Sequence, residues 1–109
     1  MWLYDASEVT MIARHWRGLA KPERADDYVD HLQTETFPLL STMNGFVDAT
    51  ILRRVTHEGV EFLIVTQWES LQAIQQFAGR DSEQAVVPEP VQNMMLEYDH
   101  TVRHYEVLP

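Results

Sequence analysis

From Val60 to Trp68 the chain puts apolar residues at both parities. Val60, Phe62, Ile64, Thr66 and Trp68 alternate with Glu61, Leu63, Val65 and Gln67. A period of two predicts a strand, and here both faces of that strand carry apolar side chains. A sheet with one face in water shows a cleaner alternation of apolar and polar residues. Any fold for this chain must therefore cover both sides of this strand.

The flanking segments narrow the choice. Phe46–Val55 is a second run rich in β-branched and aromatic residues, and Thr56-His57-Glu58-Gly59 between the two is a compact hairpin loop. Residues 9–17 alternate as a first strand, with Val9, Met11, Ala13 and His15 on one side and Thr10, Ile12, Arg14 and Trp16 on the other, and Gly18 as its end. Pro22 suits the first turn of a helix and Glu23 its positive end. Ala25, Tyr28, Leu32 and Thr36 form the buried stripe of that helix, and Phe37-Pro38 should stop or kink it. Asn44-Gly45 is a turn signal. Ser70 caps a second helix whose stripe holds Leu71, Ile74 and Phe77, and Gly79 closes it. Pro88 and Pro90 break the next stretch, a short helix is expected over 91–96, and 101–108 alternates as the last strand.

The order strand, helix, strand, strand, helix, strand predicts an α+β, ferredoxin-like βαββαβ domain with a four-stranded antiparallel sheet. Right-handed crossovers put both helices on one side. The other side, with Leu63 and Val65, is left for a second copy of the chain, which gives a homodimeric α+β barrel. The chain is 109 residues long, enough for one domain. The expected division is an N-terminal segment, 1–8, followed by the domain, 9–109.

Composition excludes several functions. The formal charge is -9, from 17 acidic and 8 basic side chains, so nucleic acid and anionic membrane are not expected partners. The absence of cysteine removes disulfides, thiolate catalysis and sulfur-ligated zinc. No apolar stretch reaches membrane-span length, and residues 1–10, with Asp5 and Glu8, lack the pattern of a signal peptide. The expected compartment is the cytoplasm.

Several ordered pieces carry a family resemblance: Trp16-Arg17-Gly18, Trp68-Glu69-Ser70, Phe77-Ala78-Gly79-Arg80-Asp81, Ala85-Val86-Val87-Pro88 and His104-Tyr105-Glu106-Val107. Together they span 9–107, and the chain resembles the antibiotic biosynthesis monooxygenase family. The resemblance implies a dimeric α+β barrel with a pocket between helices and sheet. It also implies oxidation of a small aromatic or polyketide-like molecule by molecular oxygen, without metal, flavin or haem. In the tailoring enzymes of that family the tryptophan matched by Trp68 lines the pocket. Their asparagine four residues earlier is Ile64 here, and their tyrosine six residues later is Ile74. The haem-degrading branch requires an axial histidine where this chain has Val87, and a pocket tryptophan where it has Phe77, so haem degradation is not expected.

The candidate catalytic residues are His15, Trp68 and Tyr28. Trp16, Phe62, Ile64, Ile74, Phe77, Met94 and Tyr105 are candidates to bind substrate, and no metal site is expected. Histidine is the usual acid–base group near neutral pH, and antiparallel pairing of the first and last strands would bring His15 toward His100. His31 reads as the edge of a buried stripe and His57 as a solvated loop residue. Arg14, Arg53, Arg54 and Arg103 read as interface or rim residues, with Asp48 and Glu61 as partners. Met94 and Met95 read as a lid on the short helix. Two further functions fit the same fold: a non-catalytic small-molecule-binding or stress-associated module, and an acid–base isomerase.

Overall fold

The computed structural model describes residues 10–109. The expected segment 1–8, with Asp5 and Glu8, and the start of the first strand at Val9 lie outside them. The elements follow the predicted order: β1 (Met11–Ala20), a helical stretch containing α1 (Ala25–His31) and α2 (Phe37–Leu40), β2 (Phe46–Val55), β3 (Val60–Trp68), α3 (Leu71–Ala78), α4 (Glu89–Gln92), β4 (Met95–Tyr98) and β5 (Arg103–Val107). This is the α+β, ferredoxin-like arrangement with an antiparallel sheet in the order β2-β3-β1-β4, and β5 also pairs with β1.

The fourth strand is split in two. β4 pairs with the end of β1, Gly18 opposite Tyr98, and β5 pairs with its beginning, Met11 opposite Val107. Between them the chain leaves β1 and pairs instead with the stretch before α4. There Ala85 N–H donates to His100 O at 3.0 Å and Val102 N–H to Glu83 O at 2.8 Å. The expected four-stranded sheet thus has five strands, with two of them sharing one edge.

Register fixes the faces. β1 and β3 pair with Ile12 opposite Trp68, Arg14 opposite Thr66 and Trp16 opposite Ile64. Alternate residues of β3 (Val60, Phe62, Ile64, Thr66, Trp68) are buried under the helices. Tyr28 of α1 packs edge-on against Phe62 at 4.9 Å between centroids. Trp68 clusters with Leu40, Ala73 and Ile74. Both helical segments therefore cover the same face, as right-handed crossovers require.

The opposite face carries Ala13, His15, Arg17 and Leu19 of β1, Leu63 and Val65 of β3, and Thr50 and Leu52 of β2. Leu52 is 49% exposed there. At its end Glu61 joins Arg17 at 2.7 Å and Arg54 at 2.9 Å. Hydrogen bonds from Arg17 and Arg54 hold the Glu61 carboxyl below the usual range. Of the expected acid partners for the strand arginines, Glu61 is therefore one; Arg53 instead reaches Asp26 of α1 at 3.2 Å.

Three local readings change. β1 runs on to Ala20 through Gly18, because a residue without a Cβ makes room for the Trp16 indole, 2.5 Å from where that Cβ would lie. The first helix continues past Pro38 to Leu40 through a wide turn at Leu32–Thr36 with π-type bonding. That turn absorbs the hydrogen bond the proline cannot make. The expected 91–96 helix is only Glu89–Gln92, and Met95 begins β4.

Candidate functional site

β1 presents Ile12, Arg14 and Trp16 to the helices because they share one parity of the strand. Ile64 and Thr66 stand beside them on β3. The helical stretch crosses above with Tyr28, His31 and Phe37, and Phe77 of α3 and Val91 of α4 close the ends. The result is a cavity of about 290 Å³ between sheet and helices, with mostly apolar walls. Its size and lining are those of a small-molecule site. The wide Leu32–Thr36 turn lies in its wall, and such turns recur at functional sites.

Besides Glu35 and Thr36, four polar side chains line this space. Tyr28 is 3% exposed, and burial raises its phenol well above the ordinary value, so the hydroxyl remains a proton donor. It makes no hydrogen bond to another described residue. Tyr28 lines the cavity. One turn later on the same helix face is His31. Its side chain is 13% exposed, and its Nδ1 is 3.5 Å from a Glu35 carboxylate oxygen. A proton on Nδ1 toward Glu35 leaves Nε2 as the basic nitrogen. Thr66 is the third; its hydroxyl oxygen accepts the Trp68 indole N–H at 2.9 Å.

Arg14 is the fourth and the least expected. It is 4% exposed, and its guanidinium lies 5.7 Å from the Phe77 ring centroid. Burial lowers its pKa to about 10. The split edge of the sheet explains its position. In the turn after α3, Glu83 O accepts from Val102 N–H. The carbonyls of Ser82 and Gln84 on either side of it accept from Arg14, at 2.8 Å to Gln84. Arg14 Nη1 also lies 3.1 Å from His104 Nε2. No carboxylate neutralises Arg14 among the described residues.

The expected site residues separate into three groups. Tyr28, Trp16, Ile64 and Phe77 line the cavity. Trp68, Phe62 and Ile74 are fully buried behind its wall, and Met94 lies in the core. The Met94 and Met95 lid does not form: Met94 is in a turn and Met95 in β4, both buried. His15 and Tyr105 lie on the opposite face of the sheet, ring to ring at 4.7 Å, because their parity is that of Ala13. His15 faces Arg103 across the ladder, and the ring of the exposed His100 lies against Tyr98 instead, so the two histidines do not meet. Sequence reasoning missed Arg14, His31 and Thr66. The available signal was parity: Arg14 sits between Ile12 and Trp16 on an otherwise apolar face. Among the described residues no group of three or more His, Asp or Glu side chains could hold a metal ion. No described helix is long and apolar enough to cross a membrane.

The comparisons with known proteins agree with this architecture. The sequence model described as antibiotic biosynthesis monooxygenase matches residues 11–89. Among solved structures, a candidate antibiotic biosynthesis monooxygenase from Caulobacter crescentus is similar at a TM-score of 0.70 and 16% identity, over 94% of this chain and 93% of that one. A Streptomyces coelicolor monooxygenase solved with the ligand nanaomycin D is similar at 0.58 and 19%, over 94% and 89%. A haem-degrading protein from Mycobacterium tuberculosis is similar at 0.56 and 19%, over 92% and 94%. At these identities the likeness is one of fold. No curated protein matches the chain.

Proposed function

The chain belongs to the antibiotic biosynthesis monooxygenase family, and on that premise we propose that it oxygenates a small aromatic or polyketide-like molecule held between its helices and sheet. One observation carries the reading. An apolar cavity of drug-fragment size has a protonated phenol, Tyr28, and an imidazole, His31, one helical turn apart on the same wall.

The chemistry follows from those two groups. His31 Nε2 takes a proton from an aryl CH₂ activated by a neighbouring phenol or carbonyl, and Tyr28 donates to the oxygen that becomes anionic. The apolar walls keep water from the carbanion. The carbanion reduces molecular oxygen and forms a C–O bond, and the resulting peroxide takes its proton back from His31. Loss of the second C–H proton together with hydroxide gives the carbonyl and one water. One oxygen atom enters the product and one leaves as water, and the substrate supplies every electron. His31 replaces His15 in the acid–base role because it lines the cavity and His15 does not.

Oxygen uptake with a panel of anthrones and hydroquinones tests the proposal. Uptake by the native protein should fall on the order of 10²-fold in His31→Gln and on the order of tenfold or more in Tyr28→Phe. No uptake above buffer with any of them overturns it. A second reading, a binding module without turnover, draws on Ile64, which lines the wall where the family's tailoring enzymes place an asparagine. Ligands would then raise the melting temperature without consuming oxygen. An acid–base isomerase would use His31 alike, and would turn over anaerobically.

The proposal extends to assembly. Two copies would pack through the open sheet faces, where Leu52, Leu63 and Val65 lie, as a two-fold homodimer.

A further inference from the structure

We propose that the molecule held in this cavity is an organic acid: an aromatic body whose carboxylate seats on Arg14, with its reacting oxygen at Tyr28. The inference deepens the reading above by naming a substrate class, and it rests on that reading only for the reaction.

Arg14 is the argument. A guanidinium has five N–H donors in a planar fork. Three are engaged, by Ser82 O, Gln84 O and His104 Nε2. Carbonyls and a neutral imidazole satisfy hydrogen bonds but bring no negative charge, and no described carboxylate pairs with the cation. Removing a charge from water without a counter-charge is unfavourable. Nε–H has no partner among the described residues. Arg14 lines the main cavity. One further Nη2 proton is also free. A carboxylate can accept from two such donors, one with each oxygen.

The position of Arg14 bears on the shape of the ligand. Trp16 is two residues further along β1 on the same face, and two strand residues span roughly 6.8 Å. Tyr28 packs beside Trp16 at 6.0 Å between centroids, whereas Arg14 packs beside Phe77. The two polar anchors thus stand beside different aromatic walls of one cavity, which Ile64 and Phe37 also line. A neutral hydrocarbon would leave the cation bare, and a dianion would place a second charge against apolar walls. The fit is to a monoanion at one end of an apolar body.

The test compares 2-naphthoate with its neutral near-isostere, 2-naphthamide, by titration calorimetry. The native protein should bind naphthoate at least tenfold more tightly. Arg14→Met should abolish that preference, and Arg14→Lys should keep part of it. Equal affinities in the native protein, no binding of either, or a preference that survives in Arg14→Met would each overturn the proposal. Because Arg14 also ties down the Ser82 and Gln84 carbonyls, circular dichroism accompanies the variants. If Arg14→Met does not fold, the native comparison and Arg14→Lys decide. Tight naphthoate binding without oxygen uptake by any aromatic acid sinks the oxygenase reading and leaves the acid site standing.

Discussion

The indole N–H of Trp68 donates to the hydroxyl oxygen of Thr66 at 2.9 Å, with Trp68 fully buried and Thr66 at the floor of the cavity. Trp68 therefore acts on the site through Thr66 and not by contact. Thr66→Val keeps the shape but strands a buried donor, which should cost about 1–3 kcal/mol. Thr66→Ser should cost less, since it keeps the acceptor. Trp68→Ala should cost about 3–5 kcal/mol. Urea denaturation measures all three. A Thr66→Val protein as stable as native would remove the hydrogen bond from the account.

Much of the fold was legible because local chemistry and tertiary structure agree. The Ser70 hydroxyl accepts Ala73 N–H at 3.1 Å as a helix cap should, and Gly79 closes the helix at a φ of 84°. The strands Phe46–Val55 and Val60–Trp68 have the expected bounds. The site was less legible, for a reason visible in two adjacent residues. His15 and Trp16 cannot both face one cavity, because neighbours on a strand point to opposite faces. Trp16 takes the cavity, and His15 goes with Ala13 to the other side. Arg14 was hidden for a different reason. Its partners are backbone carbonyls of Ser82 and Gln84, 68 and 70 residues away, created by a split in the last strand that no local pattern announces. His31 looked like stripe edge because its role depends on Glu35 and on a cavity that exists only once the sheet is in place.

Gly18 bears on the cavity from below. A Cβ there would lie 2.5 and 2.9 Å from the ring atoms Cη2 and Cζ3 of Trp16 and 3.0 Å from the Met95 sulfur. Gly18→Ala should push the indole inward and destabilise the protein by about 1–3 kcal/mol, as overpacking does. Trp16 also donates to Asp99 O at 2.9 Å, so the shift should break that tie. A changed tryptophan emission maximum and weaker 2-naphthoate binding are the readouts. Unaltered emission and affinity would show that the indole does not move.

His104 gives a pH dependence with a definite sign. Burial first, and then the charge of Arg14, lower its pKa from the ordinary 6.5, against a smaller opposing pull from Glu83. Its Nε2 accepts from Arg14, so a proton there breaks the contact. The unfolded imidazole takes up a proton near 6.5, and the folded one resists until a lower pH. Stability is therefore complete above about 6.5 and falls as pH drops toward the folded value. Burial lowers His15 too, so His104→Gln should flatten the acid limb only in part. Urea midpoints between pH 5 and 8 check it; an unchanged slope in His104→Gln would overturn the assignment.

The open sheet face sets the last prediction. Leu63 on β3 stands between Arg17 of β1 and Leu52 of β2, in the middle of the sheet and away from the helices. In a lone chain Leu63→Glu should be tolerated, since Leu63 is only half-buried and the new carboxylate lies beside Arg17. In a dimer joined through this face it buries a charge at the centre of the contact, where single truncations or charges often cost about 2–4 kcal/mol, or on the order of 30-fold or more in dissociation constant. Sedimentation velocity of native protein and Leu63→Glu at micromolar concentration separates the two cases. The native chain should sediment as a dimer and the variant as a folded monomer with its circular dichroism intact. A native monomer, or a variant that still pairs, would show that the apolar strand Val60–Trp68 is covered on its second side by something other than another copy of itself.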